Sequence, residues 1–123
     1  MFNKEILIVD DDKAVGKVLK FALEDKYNVA TTTSAVSAFE YLSNKKVDLI
    51  LLDVKMPHIN GIEALEEINK IQPAVNVIMI TACTSNENKS KAKILGAYGF
   101  ITKPFDLDEL RKYVERVLSQ NGV

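Results

Sequence analysis

Four apolar runs in this chain each stop at a residue able to do chemistry. Ile6-Leu7-Ile8-Val9 ends at Asp10-Asp11-Asp12, and the run from Val47 to Leu52 ends at Asp53. Val75 to Ile80 ends at Thr81, and the shorter Tyr98 to Ile101 ends at Thr102-Lys103-Pro104. If the strands ending at Asp10 and Asp53 are neighbours, Asp10, Asp11 and Asp53 converge. Three carboxylates that close repel one another and resist ionisation unless a cation intervenes. A compact set of oxygen ligands suits Mg²⁺, which keeps several waters and takes one or two carboxylates. Lys103 and the Thr81 hydroxyl would face the same pocket. A cation, a hydroxyl and a metal ion are what a transferring phosphoryl group requires.

The elements that must position these residues alternate. Unbroken apolar, β-branched runs suggest strands covered on both faces, hence a parallel sheet. Asn28 to Thr32 is a weaker strand, expected at the sheet edge. Between the strands lie helical patterns over 13–25, over 34–43 with Ser34 as N-cap, and from Ile62 to Ile71 between Gly61 and Pro73. A polar, lysine-rich stretch over 86–95 is the weakest helix. Leu107, Leu110, Tyr113, Val114, Val117 and Leu118 mark the last, with Asp106 as its N-cap. Five β-α alternations predict a doubly wound α/β sheet with right-handed crossovers. Ligands in such sheets bind beyond the carboxyl ends of the strands, where the polar residues stand.

Composition narrows the function. The 123 residues carry 16 Lys plus Arg against 17 Asp plus Glu, a net charge of −1, with 47% apolar residues. That is ordinary globular composition for one domain. All of the cations but Arg111 and Arg116 are lysines, so the forked contacts that read bases are scarce, and nucleic acid is not an expected partner. The single cysteine, Cys83, excludes an internal disulfide. No run approaches the ~20 apolar residues of a membrane span, and the start lacks a signal-peptide pattern. No membrane partner is expected, and the chain reads as cytoplasmic.

Taken together, Ile8-Val9-Asp10-Asp11, Leu52-Asp53-Val54-Lys55-Met56-Pro57 with Gly61, Ile80-Thr81-Ala82 and Thr102-Lys103-Pro104-Phe105 resemble the receiver domain of two-component response regulators. Each motif is weak alone; the four fall in the family's order, and the likeness spans the whole chain. It implies a flavodoxin-like receiver fold, a five-stranded parallel sheet of order 2-1-3-4-5 with five helices, as a single domain over 1–123 without an effector domain. It implies that Asp53 takes a phosphoryl group from the phosphohistidine of a sensor histidine kinase or histidine phosphotransferase. Asp10 and Asp11, joined by Asp53 and the backbone carbonyl of Lys55, would hold Mg²⁺. Lys103 would pair with phosphoryl oxygens, its bond to Pro104 cis. Thr81 would swing inward, followed by Phe100 as the switch aromatic, although a core aromatic looks the same in sequence. The expected product is a phosphoprotein that changes its binding partner or relays phosphate, catalysing only its own phosphorylation and dephosphorylation. A monomer, or a weak dimer formed on phosphorylation, is expected.

Ile59 and Asn60 depart from the family's commonest residues without touching the chemistry. Lys55 and Cys83, two residues beyond Asp53 and Thr81, flank the phosphoryl group by resemblance; a long lysine there would shield it and slow hydrolysis. His58 lacks partners at ligand spacing, and Cys83 lacks a cationic cluster that would make it a thiolate. Asp12 reads as a helix cap. In the first helix, Ala14, Val15, Val18, Leu19, Phe21, Ala22 and Leu23 cover roughly 200° of arc, against the ~100° that burial needs. Lys13, Lys17, Lys20 and Glu24 hold the rest. The surplus flank could dock a partner helix or lie under the final helix. By resemblance, Ala14, Val15 and Val18 with Pro104 and Phe105 form the surface that meets the kinase's four-helix bundle.

Other classes fit less well. Asp10-Asp11-Asp12 contains the Asp-x-Asp of haloacid-dehalogenase-type phosphatases, with Thr81 and Lys103 as later motifs. Asp53 would then be unexplained, and no late acidic pair or cap domain is present. A receiver serving only as a scaffold would not need all five site residues. A Rossmann or P-loop nucleotide binder needs glycines after the first strand, where three aspartates stand.

Overall fold

The computed structural model describes residues 4–54, 61–81, 90 and 92–121, the last two by backbone alone. Its strands are β1 (Glu5–Val9), β2 (Asn28–Thr32), β3 (Leu49–Asp53), β4 (Asn76–Thr81) and β5 (Gly99–Thr102). Helices α1 (Lys13–Leu23), α2 (Ala35–Asn44), α3 (Gly61–Ile71) and α5 (Leu107–Asn121) surround them. Of the fourth helix, α4, residues 90 and 92–94 are described and are helical, and Leu95, expected to end it, lies in the turn that follows; residues 86–89 and 91 of the expected segment lie outside the described residues. The sheet is parallel throughout, in the order β2-β1-β3-β4-β5. This is the expected five-stranded doubly wound fold with β2 at an edge.

Alternation along each strand explains the two cores. Ile6, Ile8, Leu49, Leu51, Ile78 and Ile80 point to a layer closed by Leu19 and Leu23 of α1 and by Leu110, Val114, Val117 and Leu118 of α5. Leu7, Val9, Ile50, Leu52, Val77 and Met79 point the other way, against Ala38, Leu42, Leu65, Ile68 and Ala92 from α2, α3 and α4. Burial on both faces is why these strands read as continuous rather than alternating apolar runs.

Boundaries differ in small, explicable ways. Val47 and Asp48 were expected in β3 but precede it, because the Asp48 carboxylate accepts the Glu5 N–H at 2.8 Å and so turns towards the start of β1. Tyr98 likewise precedes β5, and Thr81 and Thr102 extend their strands by one pair. The caps stand as expected. Asp12 accepts the Ala14 N–H at 2.9 Å, Ser34 the Ser37 N–H at 3.1 Å, and Asp106 the Asp108 N–H at 2.7 Å. Each fixes where a helix begins, and with it the loop that leaves the strand before.

Candidate phosphoryl-acceptor site

The register of the sheet gathers the polar residues at one end. Val9 pairs with Leu52, Asp53 with Ile80 and Thr81 with Thr102, so Asp10, Asp53, Thr81 and Lys103 all leave the carboxyl ends of their strands. β1 and β3 are adjacent, which meets the condition for convergence of the aspartates. Carboxylate oxygens of Asp10, Asp11 and Asp53 lie within 4.8 Å of one another. Asp10 and Asp53 are 2% and 5% exposed, whereas Asp11 stands in solvent.

Buried carboxylates need partners. Asp10 Oδ1 accepts the Asp12 N–H at 2.9 Å, and Lys103 Nζ lies 3.3 Å from Asp10 Oδ2 and 3.7 Å from Asp53 Oδ1. Lys103 is held in place because its N–H donates to the Thr81 carbonyl at 2.8 Å, and the Lys103–Pro104 bond is cis as expected. Among the described residues, one ammonium stands against three carboxylates, an excess of negative charge. Oxygen donors with that excess are consistent with a site for a small divalent cation such as Mg²⁺.

Gly61 contributes by what it lacks. Its N–H donates to the Val54 carbonyl, and a Cβ there would stand 2.5 Å from Val54 Cα and 3.0 Å from the Asp53 carbonyl oxygen. Only glycine lets α3 start so close to the end of β3. The sequence marked Gly61 as part of a motif, but the reason for it is tertiary.

Thr81 is buried at 3% exposure. Phe100 is half-buried at the rim of the α2–α3–α4 core layer, opposite Met79 across β4 and β5. Lys55, His58 and Cys83 lie outside the described residues. The expected docking residues divide. Ala14, Val18 and Pro104 are exposed, while Val15 and Phe105 are half-buried against the α1–α5 core layer. The expected surface left out Phe21, yet it is 80% exposed beside Val18 at 47%, and the spacing 14, 18, 21 puts it on the same face of α1. Among the described residues, Val18 and Phe21 are therefore left uncovered, whereas Val15 packs with the final helix.

The family model for the response regulator receiver domain matches residues 6–115. The chain belongs to this family. Receiver domains are parts of two-component and phosphorelay systems, and their chemistry is limited to their own phosphorylation and dephosphorylation. This receiver is 36% identical over 122 residues to the transcriptional regulatory protein ZraR of Escherichia coli O157:H7, covering 98% of this chain and 28% of that one. It spans about a quarter of the length of such regulators. It is also 34% identical to sporulation initiation phosphotransferase F of Bacillus subtilis, over 96% of each chain. Among solved structures, the CheY-like receiver domain protein of Methanospirillum hungatei JF-1 superposes with a TM-score of 0.88 at 36% identity, over 97% of each chain. No described helix of the receiver is long and apolar enough to cross a membrane.

Proposed function

We propose that this receiver accepts a phosphoryl group on Asp53 from the phosphohistidine of a sensor histidine kinase or histidine phosphotransferase, with Mg²⁺, and thereby switches a protein-binding surface or relays the phosphate. The observation that carries the proposal is the Asp10–Asp11–Asp53 cluster with Lys103 across it at 3.3 and 3.7 Å.

An Asp53 carboxylate oxygen attacks phosphorus, the P–N bond breaks, and the electron pair leaves with the imidazole. Asp10, Asp11 and Asp53, with the Lys55 carbonyl by resemblance, would hold the metal, which when bound offsets the charge on the phosphoryl oxygens. Lys103 Nζ, already between Asp10 and Asp53, pairs with a phosphoryl oxygen as charge gathers there. The Thr81 hydroxyl donates to another, and Phe100 follows it inward, a movement suited to a side chain that is neither wholly in the core nor free of it. The exposed stripe Ala14, Val18 and Phe21, with Pro104 and the outer edges of Val15 and Phe105, receives the donor helix. The name of the Bacillus relative, a phosphotransferase, supports onward passage of phosphate.

Phosphoramidate, whose P–N bond matches that of phosphohistidine, tests the reaction. The expected result is stoichiometric labelling in Mg²⁺ that stops in excess chelator. Labelling indifferent to chelator would overturn the metal assignment, and no labelling in Mg²⁺ would overturn acceptance from a P–N donor.

A further inference from the structure

At the opposite end of the sheet lies a cavity of about 510 Å³, within the ~300–1,000 Å³ typical of small-ligand pockets. Its floor is apolar: Leu42, Val47 and Val75 line it and are buried. Its rim is cationic. Lys4, Lys45 and Lys46 surround the mouth, against one acid, Asp48, whose Oδ2 already accepts the Glu5 N–H at 2.8 Å. Lys45 pairs with Glu5 at 3.4 Å, whereas Lys4 and Lys46 have no ion-pair partner among the described residues.

The wall is braced from within. Gln72 Oε1 accepts the Val47 N–H at 3.1 Å, and its Nε2 donates to the carbonyls of Leu42 and Lys45 at 2.8 Å each. One side chain thus ties the end of α3 to the end of α2 and to the segment that enters β3. A wall held this way needs little ordering when a ligand arrives, which lowers the entropic cost of binding.

We infer that this cavity is a second site, for a small amphipathic anion: an apolar body seated on Leu42, Val47 and Val75, with its carboxylate or equivalent acid held by Lys4 and Lys46. The charge of the rim selects the sign of the head group, and the buried floor selects the tail. The site is separate from phosphoryl chemistry. Val47 and Asp48 precede the first residue of β3, whereas Asp53 is its last, so four strand steps of ~3.3 Å intervene.

Octanoate and octylammonium, alike in tail and opposite in charge, are the probes. Each is titrated into isotope-labelled full-length protein while backbone amide shifts are followed. Octanoate is expected to move the amides of Val47, Asp48, Ala74 and Val75 saturably, and octylammonium to bind there at least tenfold more weakly. A Lys4→Glu/Lys46→Glu variant should reverse that preference while keeping the wild-type melting temperature and acetyl phosphate labelling. Equal binding of the two probes, shifts confined to the Val18–Phe21 stripe, or a preference unmoved by the double substitution would overturn the assignment. So would an acidic peptide that moves these amides where octanoate does not, which would make the occupant a protein segment. Because labelling at Asp53 is read separately, loss of the phosphoryl-acceptor reading would leave this result standing, and the reverse.

Discussion

Three carboxylates lie within 4.8 Å and the Lys103 ammonium pairs with two of them, Asp10 and Asp53, so the negative charge of the cluster shapes what each substitution does. Asp10→Asn removes one charge from the cation site and one repulsion from the metal-free fold. A unit charge pair at 4 Å is worth ~1 kcal/mol in water and ~4 kcal/mol at an effective dielectric of 20, and more for a divalent ion. Mg²⁺ affinity is therefore expected to fall at least about tenfold in Asp10→Asn, measured by calorimetric titration, while the metal-free melting temperature rises. Unchanged affinity would remove Asp10 from the ligand set. In the wild type, Mg²⁺ at ten times its dissociation constant should add about 1.4 kcal/mol of stability by mass action, a few degrees in Tm. Asp10 and Asp53 were legible in the sequence because each interrupts an apolar run where a strand must end, and Asp11 and Lys103 because each stands one residue beyond such an interruption. Phe100 was not, since an aromatic at the rim of a core and one that moves carry the same letter; its half-buried state leaves room for both.

Elements place these residues through contacts that no local pattern records. The Gly61 N–H on the Val54 carbonyl brings α3 against the strand that carries Asp53, and a Cβ there meets backbone rather than a yielding side chain. Gly61→Ala is expected to cost ~1–3 kcal/mol in denaturant unfolding and to slow acetyl phosphate labelling, because relief of the clash shifts the end of β3. Wild-type labelling in a destabilised Gly61→Ala would separate the two effects and count against that linkage. The start of β3 was misread for a related reason: apolar letters continue through Val47, but the Asp48 carboxylate bonds to Glu5 and delays the ladder. Where α1 and α5 meet the sheet, burial raises the Tyr27 phenol above its usual 10.0, helped by Glu115 and Asp25. Burial, with Tyr98 adding to it and Arg116 opposing, does the same for Tyr113. A phenol whose pKa is raised on folding holds its proton more tightly in the folded state. Its contribution is complete below pH 10 and is lost as pH climbs through the folded value. Spectroscopic titration should show both tyrosines ionising above pH 10, with unfolding easier beyond that point. Ionisation of both below pH 10 would contradict the packing described.

For the whole molecule, the division of α1 between core and surface bears on the proposed meeting of the receiver with its donor. An apolar arc of ~200° told that the helix had more greasy surface than a sheet needs, and only the tertiary structure shows which part is surplus. Leu19, Ala22 and Leu23 are spent on the core, while Val18 and Phe21 remain outside it. The fold class and the polar residues at the strand ends were readable because periodicity and strand-end chemistry are local; the strand order, which is tertiary, came from the family resemblance. The exposure of the expected docking flank was only half readable, because Val15 and Phe105 serve the core as well. Phe21→Ser should change stability by no more than ~0.5 kcal/mol. It should leave labelling by acetyl phosphate intact while slowing transfer from a phosphorylated histidine phosphotransferase. Equal slowing with both donors would place the defect in the site rather than on the surface.

The central claim, that Asp53 is the phosphoryl acceptor, is tested most directly by locating the modification. The protein is incubated with acetyl phosphate and Mg²⁺, the acyl phosphate is reduced with borohydride, and peptides are sequenced by mass spectrometry beside an Asp53→Asn control. Homoserine at position 53 in the wild type, with no modification in the control, is the predicted result. Modification at Asp10, or a phosphoryl group retained by the Asp53→Asn protein, would contradict it and favour a phosphatase-like use of the first strand.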